Sequence, residues 1–351
     1  MAAALALAGR GLGRVWPNPA VGCVLVDDGR VVGRGWTQPG GRPHAETEAL
    51  ARAGDLARGA TAYVSLEPCS HHGRTPPCAD ALVAAGVARV VMAVEDPDPR
   101  VSGRGAARLR EAGIAVTTGV RENEARALNA GFFLRVTAGR PLVTLKLAST
   151  LDGRIAMASG ESRWITGDSA RAHAHRLRAE HDAVMVGIGT ALADDPDLTC
   201  RLPGLSGHSP VRAVVDSRFR LPPSSRLVAT AHQVPTWIIG CVDSPVDLGP
   251  SILGVPADAD GHVDLRAALA ALGGRGITRV LVEGGGHLAA ALLRQGLVDR
   301  LVWFHAPRVI GGEGIPAVAA MGLDRLADSP MFTRTATVEL GDDLMELYER
   351  R

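Results

Sequence analysis

Surplus charge is what this 351-residue chain most plainly lacks: 38 basic residues stand against 37 acidic ones, a net of +1. Without a field of one sign it cannot hold nucleic acid or an anionic membrane by bulk attraction, and any phosphate it binds must be caught by local groups. No apolar run approaches the roughly 20 residues of a membrane span, and no internal repeat or low-complexity segment is present. Apolar residues at 46% and charged residues at 21% exclude a disordered or fibrous chain. Cysteine is sparse and odd in number (Cys23, Cys69, Cys78, Cys200, Cys241). That argues against a disulfide framework, suits a reducing cytosol and leaves metal binding as the better use. Lysine is nearly absent: Lys146 is the only one, and arginine fills every other basic position. A lone lysine is either a chance leftover at a strand end or a compact ammonium kept for a task arginine cannot perform.

The length suggests two domains. Met1 to Gly9 is apolar and alanine-rich, and no acid precedes Asp27. No basic residue leads the apolar stretch, however, and Trp16 to Cys23 runs straight into a strand pattern, so a removable leader is not expected. From Ala20 to Gly139, short apolar runs (Val21 to Val26, Ala62 to Leu66, Val90 to Val94, Ile114 to Thr118) alternate with helical ones (Glu46 to Ala53, Ala79 to Ala85, Ala106 to Ala112). Gly54, Gly86 and Gly113 stop the helices. Glu122 to Arg135 is expected to form one further helix, and Ala138 to Pro141 to mark the boundary, giving domains of residues 1–139 and 140–351. Beyond it, strands are expected at Leu142 to Leu147, Ala183 to Val186, Val211 to Asp216, Thr236 to Ile239, Arg279 to Val282 and Leu301 to Phe304. Helices are expected at Ser169 to Glu180, Leu265 to Leu272 and His287 to Gln295, and Asp243 to Asp264 as a surface excursion. Both halves therefore read as α/β.

The strongest chemical signal is His44-Ala45-Glu46, then Pro68-Cys69, then Cys78. One imidazole and two thiolates make a three-ligand zinc set with a fourth position open, and Glu46 is placed to take a proton from water and return it to a leaving amine. Residues two apart inside a helix point about 200° apart, so His44 and Glu46 converge only if His44 lies at the helix start, as Pro43 suggests. Cys78 follows Pro76-Pro77 and opens the next helix, where a thiolate is favoured. His71 and His72, between the cysteines, are either competing ligands or substrate contacts. In the second half there is no G-x-G-x-x-G fingerprint, but Val186-Gly187-Ile188-Gly189-Thr190 and Glu283-Gly284-Gly285-Gly286 are strand-to-helix turns where bare N–H groups can approach a pyrophosphate.

With Pro17-Asn18-Pro19-Ala20-Val21-Gly22-Cys23 and the run Glu67 to Cys78, whose two cysteines have eight residues between them rather than the usual two, these motifs resemble the RibD family of bifunctional riboflavin-biosynthesis deaminase/reductases. The second half carries the resemblance on Lys146 to Arg154, Gly160 to Thr166 and Ala193 to Pro196. The resemblance implies a cytidine-deaminase-like α/β/α domain followed by a dihydrofolate-reductase-like α/β domain. The first would use zinc, one per chain, to direct hydroxide at the ring carbon bearing the 2-amino group of a pyrimidine ribosylamino phosphate. The second would use NADPH to reduce the ribosyl group to ribityl. It further implies Asn18, His71 and Arg74 as deaminase substrate contacts, Arg74 nearest the phosphate. For the cofactor it implies Ala148, Trp164, Thr190, Asp194, Ser217 and the run Gly285, Gly286, His287, Leu288, Ala289, Ala290 and Ala291. For the reductase substrate it implies Ser162, Arg178, Leu198, Arg201 and Glu283.

The residue types suit these roles: Arg178 and Arg201 can fork onto a phosphate, Lys146 can hydrogen-bond ribose hydroxyls, and Ser217-Arg218 at a strand end is a candidate for the 2′-phosphate of NADPH. The sequence departs from relatives at Glu48, a carboxylate one turn past His44. The expected partners are the small pyrimidine phosphate and further copies of the chain, as a dimer or tetramer, in the cytoplasm; no nucleic acid or membrane is expected. Rival readings are a deaminase whose second half only binds nucleotide or dimerises, a nucleic-acid-editing deaminase, which the missing basic stripe disfavours, and a nucleotide sensor, which has no use for Glu46.

Overall fold

In the computed structural model, residues 1–71, 76–242 and 251–351 are described. The chain divides into two compact units, Met1–Gly139 and Arg140–Arg351.

The first unit comprises α1 (Ala2–Gly9), β1 (Gly22–Asp27), β2 (Arg30–Trp36), α2 (Ala45–Ala53), β3 (Thr61–Val64), α3 (Cys78–Ala84), β4 (Arg89–Met92), α4 (Arg104–Glu111), β5 (Ala115–Thr117), α5 (Glu122–Leu128) and α6 (Ala130–Ala138). Its sheet runs β2-β1-β3-β4-β5; β1 is antiparallel to β2 and β3, while β3, β4 and β5 are parallel. Alternation along β1 feeds two cores. Cys23 and Leu25 pack with Ala45 and Ala49 of α2, and Val24 packs with Ala4 and Leu7 of α1. Backbone meets backbone where these helices land: a Cβ on Gly22 would lie 1.9 Å from the Ala4 carbonyl oxygen, on Gly33 2.3 Å from that of Ala49, and on Gly35 2.4 Å from that of Ala45. Glycine alone allows that approach.

Glu122 to Arg135 is not one helix. It breaks at Asn129 (φ −98°, ψ 17°) into α5 and α6. The buried Asn129 amide accepts from the Ala20 N–H and donates to the Ala20 carbonyl, both at 2.9 Å. Its side chain thus stands in for a strand partner 109 residues away, and the helix yields to that clamp.

The second unit comprises β6 (Leu142–Thr150), β7 (Arg154–Ala156), α7 (Asp168–Ala179), β8 (Ala183–Gly187), α8 (Ile188–Asp194), β9 (Val211–Val215), α9 (Arg226–Ala229), β10 (Thr236–Cys241), β11 (Ile252–Val255), α10 (Leu265–Gly274), β12 (Arg279–Val282), α11 (Gly286–Arg294), β13 (Arg300–Ala306), β14 (Ile315–Pro316), β15 (Phe332–Leu340) and β16 (Asp343–Arg350). Nine of these strands form one sheet in the order β11-β10-β9-β8-β12-β6-β13-β16-β15. It is parallel from β11 to β13, with the β15–β16 hairpin antiparallel at the end.

Two expectations need correction here. Within Asp243 to Asp264, expected as a surface excursion, Ile252–Val255 is a strand pairing in parallel with β10, with Leu253 and Val255 buried. Four apolar residues suffice for an edge strand, and the Pro, Gly and Asp around them hid it; residues 243–250 lie outside the described residues. The β15–β16 hairpin was not foreseen either, although Phe332 to Tyr348 alternates around Gly341, which has φ +72°.

Candidate active sites

His44 is the N-cap of α2, with extended backbone (φ −72°, ψ 161°), so its ring and the Glu46 carboxyl of the first turn share one side despite standing two residues apart. Cys78 is the first residue of α3, and its N–H donates to the Cys69 sulfur at 3.3 Å. His44 Nδ1 lies 3.3 Å from Cys78 Sγ and 3.7 Å from Cys69 Sγ, and the ligand atoms of all three residues lie within 4.8 Å of one another. Zinc–sulfur bonds of about 2.3 Å and a zinc–nitrogen bond of about 2.0 Å at tetrahedral angles place nitrogen and sulfur roughly 3.5 Å apart. The observed spacings straddle that value, so the donor set fits zinc.

Burial and mutual hydrogen bonding shift the titrating groups of this cluster strongly. Burial, then the Cys69 charge, pushes the Glu46 carboxyl up to about 7. Hydrogen bonding from Cys78, helped by His44, holds the Cys69 thiol down at about 4, while the Cys69 hydrogen bond and burial push Cys78 well up. Asp96, 6% exposed, is raised to about 7, first by burial and further by the carboxylates of Asp98 and Glu67.

A cavity of about 240 Å³ opens on this cluster, and Asn18, His44, Glu46, Cys69 and His71 all line it. Cys78 is 2% exposed and is not among the lining residues. Glu48 pairs with Arg52 at 3.1 Å and does not line the cavity. Arg74 and His72 lie outside the described residues. Sequence reasoning missed Arg42, Arg135, Asp96, Asp98 and Arg100 on the same wall. The available signal was position: Asp96 to Arg100 follow directly on the end of a parallel strand, where α/β folds place ligand contacts.

In the second unit a cleft of about 520 Å³ lies beyond the carboxyl ends of β6, β8 and β12. It gathers Lys146, Ala148, Ser162, Trp164, Arg178, Thr190, Asp194, Leu198, Arg201, Glu283 and Gly285 from six segments of chain. Arg178 grips Glu283 with two hydrogen bonds, Nε to Oε1 at 2.6 Å and Nη2 to Oε2 at 2.9 Å, and Lys146 Nζ stands 4.0 Å from Oε2. Burial pushes the Glu283 carboxyl up, but the Arg178 charge and hydrogen bonds, with Lys146 behind them, outweigh it and leave it at about 2. Burial also lowers the Lys146 ammonium. The Gly285 N–H donates to Thr190 Oγ1 at 3.0 Å, which ties the turn before α11 to α8. That bare glycine turn at a helix start facing a cleft suits a pyrophosphate.

The other expected cofactor contacts are not brought to this cleft. Ser217 Oγ accepts from the Val263 N–H at 3.1 Å, and Gly286 to Ala291 run on into α11, where Ala289 and Ala290 are buried against the unit's interior. Arg163, Asp195, Asp197 and Arg226 line the cleft without having been singled out.

Residues 1–94 match the model of the cytidine and deoxycytidylate deaminase zinc-binding region, and residues 141–345 match that of the RibD C-terminal domain. The chain is 46% identical over 357 aligned residues to the riboflavin biosynthesis protein RibD of Escherichia coli, covering 98% of this chain and 96% of that one. It is 41% identical to RibD of Aquifex aeolicus, covering 100% and 97%. Among solved structures, Acinetobacter baumannii RibD superposes with a TM-score of 0.89 at 38% identity, covering 100% of this chain and 97% of that one. The Thermotoga maritima diaminohydroxyphosphoribosylaminopyrimidine deaminase/5-amino-6-(5-phosphoribosylamino)uracil reductase gives 0.87 at 37% with the same coverage.

Proposed function

The chain belongs to the RibD family and is a bifunctional riboflavin-biosynthesis enzyme with a deaminase and a reductase domain; from that premise we propose which residues perform each reaction. Residues 1–139 deaminate a 2,5-diamino-6-ribosylamino-pyrimidinone 5′-phosphate, and residues 140–351 then reduce the ribosyl group of the resulting aminouracil to ribityl with NADPH.

In the first unit His44, Cys69 and Cys78 hold one zinc ion. Bound there, zinc would supply Lewis acidity to water. Glu46 takes the proton from that water and delivers it to the departing ammonia. Asn18 and His71 orient the ring, and Arg74 holds the phosphate. The observation that carries this reading is the convergence of the three ligand atoms within 4.8 Å beside a cavity that Glu46 also lines.

In the second unit Thr190, Asp194, Trp164, Ala148 and the Gly285 turn hold NADPH, whose nicotinamide supplies the hydride. Ser217 and the start of α11, which do not line that cleft, are assigned to the cofactor as further contacts. Glu283 fixes Arg178 and Lys146 toward the sugar phosphate, with Ser162, Leu198 and Arg201 on the remaining sides. The enzyme works in the cytoplasm on this small substrate, as a dimer or tetramer that light scattering would measure; no described helix is long and apolar enough to cross a membrane.

The test is direct. Purified protein should contain one zinc per chain, release ammonia from the diaminopyrimidine substrate, and oxidise NADPH in proportion to deaminated product. NADPH binding that saturates without turnover would reduce the second unit to a nucleotide-binding module. Deamination by zinc-free protein would remove the metal assignment.

A further inference from the structure

Glu67 stands two residues before Cys69, yet its carboxylate is not spent on the metal cluster. It is 3% exposed, and its oxygens accept three backbone N–H groups from one distant segment: Oε2 from Asp96 at 3.2 Å and from Gly103 at 3.0 Å, Oε1 from Ala106 at 3.0 Å. Gly103 is the N-cap of α4 and has no side chain to cap with, and Ala106 lies in its first turn. Glu67 therefore caps a helix whose N-cap lies 36 residues further on, its carboxyl group facing the positive end of the helix. Between its first and second anchor points the chain presents Asp96, Asp98, Arg100 and Val101 to the cavity. Gly105 closes the same joint from the other side: a Cβ there would lie 2.0 Å from the Pro68 carbonyl oxygen and 3.2 Å from Glu67.

All of this wall lies beyond residue 94, where the match to the general deaminase zinc-binding region ends. The metal loop and the wall facing it are thus joined through one carboxylate. The geometry points to Glu67 as a positioning residue for deamination, one that sets the distance between the zinc-ligand loop and the substrate-facing segment Asp96 to Val101. This inference rests on the deaminase reading of the first unit.

Glu67→Gln keeps the shape but turns an NH₂ group toward at least one of the three N–H donors. Carried out on the full-length zinc-loaded enzyme, it should raise the KM for deamination about tenfold while kcat stays within about twofold. Zinc content and the kinetics of NADPH-dependent reduction of pre-deaminated substrate should equal wild type. Glu67→Asp keeps the charge but shortens the reach, and should not rescue KM. Gly105→Ala wedges the same joint without touching Glu67 and should reproduce the rise in KM, so the inference stays testable if Glu67→Gln does not fold. A merely structural role would lower the melting temperature and the active fraction, hence the apparent kcat, with KM unchanged. An unchanged KM in the folded variants overturns the inference, as does loss of zinc in parallel with activity, which would assign Glu67 to the ligand loop alone. Wild-type enzyme that released no ammonia would instead overturn the deaminase reading itself.

Discussion

Buried carboxylates occur at both sites, and they are treated in opposite ways. In the first unit Glu46 and Asp96 are buried among other anionic groups, and both are raised to about 7. In the second, Glu283 is somewhat more exposed and is held between Arg178 and Lys146, and it stays ionised down to about 2. A buried carboxyl set among other anionic groups rises toward neutrality, whereas one clamped by two cations stays a fixed charge. On the assignment proposed above, the difference would separate a site for proton transfer from one for binding, in which a cofactor supplies the reactive hydride.

The comparison breaks most severely at the metal. Cys78→Ser should abolish both zinc binding and ammonia release and leave reduction of pre-deaminated substrate intact, checked by metal analysis and by separate assays of the two reactions. Next in size, Glu46→Gln should keep zinc and lose about 10³-fold in deamination; unchanged turnover would remove Glu46 as the proton carrier. Glu283→Gln should destabilise the second unit by about 3–5 kcal/mol, because two buried cations lose their partner, read by urea unfolding. Because the folded pKa of Glu283 is depressed, its contribution is fully present above the unfolded value near 4.5 and disappears as pH falls through about 2. The deficit of the variant should therefore shrink across that window.

The smallest effect has the opposite sign. Asp96→Asn should stabilise the first unit by on the order of 1–2 kcal/mol near pH 8, and retain the acceptor for the Asp98 N–H. The folded pKa of Asp96 is raised, so wild type is unpenalised below about 3.8 and bears the full penalty only once pH has risen past about 7. The gain should vanish near pH 4. An Asp96→Asn protein that is less stable at both pH values would mean that its carboxylate is held by a cation after all.

The zinc cluster was legible in the sequence because its residue types are scarce and sit at element boundaries: His44 after Pro43, Cys69 after Pro68, Cys78 after Pro77. Asn129 and Glu67 were not, because each acts on the backbone of a segment remote in sequence, and no local pattern announces such a bond. In the reductase cleft only the glycine turns and the lone Lys146 were legible without the resemblance, since arginines such as Arg226 look like solvated surface until loops bring them together. Strands written as short continuous apolar runs were readable, including most of the parallel sheet, whereas the alternating β15–β16 hairpin was not. The Ile252–Val255 edge and the break at Asn129 were not, because sheet pairing and a tertiary clamp override local propensity there.

Gly33 and Gly35 bring no chemistry to the zinc site, yet α2 rests on their bare backbone just behind His44 and Glu46. A methyl group on either would lift the helix and move a ligand and a base together, a displacement of ångströms where catalysis tolerates far less. In a saturation scan of this gene, those two glycines should therefore score as intolerant as the ligands themselves. A map of essential positions would draw the active site larger than the set of atoms that react, and its outline would trace the scaffold's tolerances.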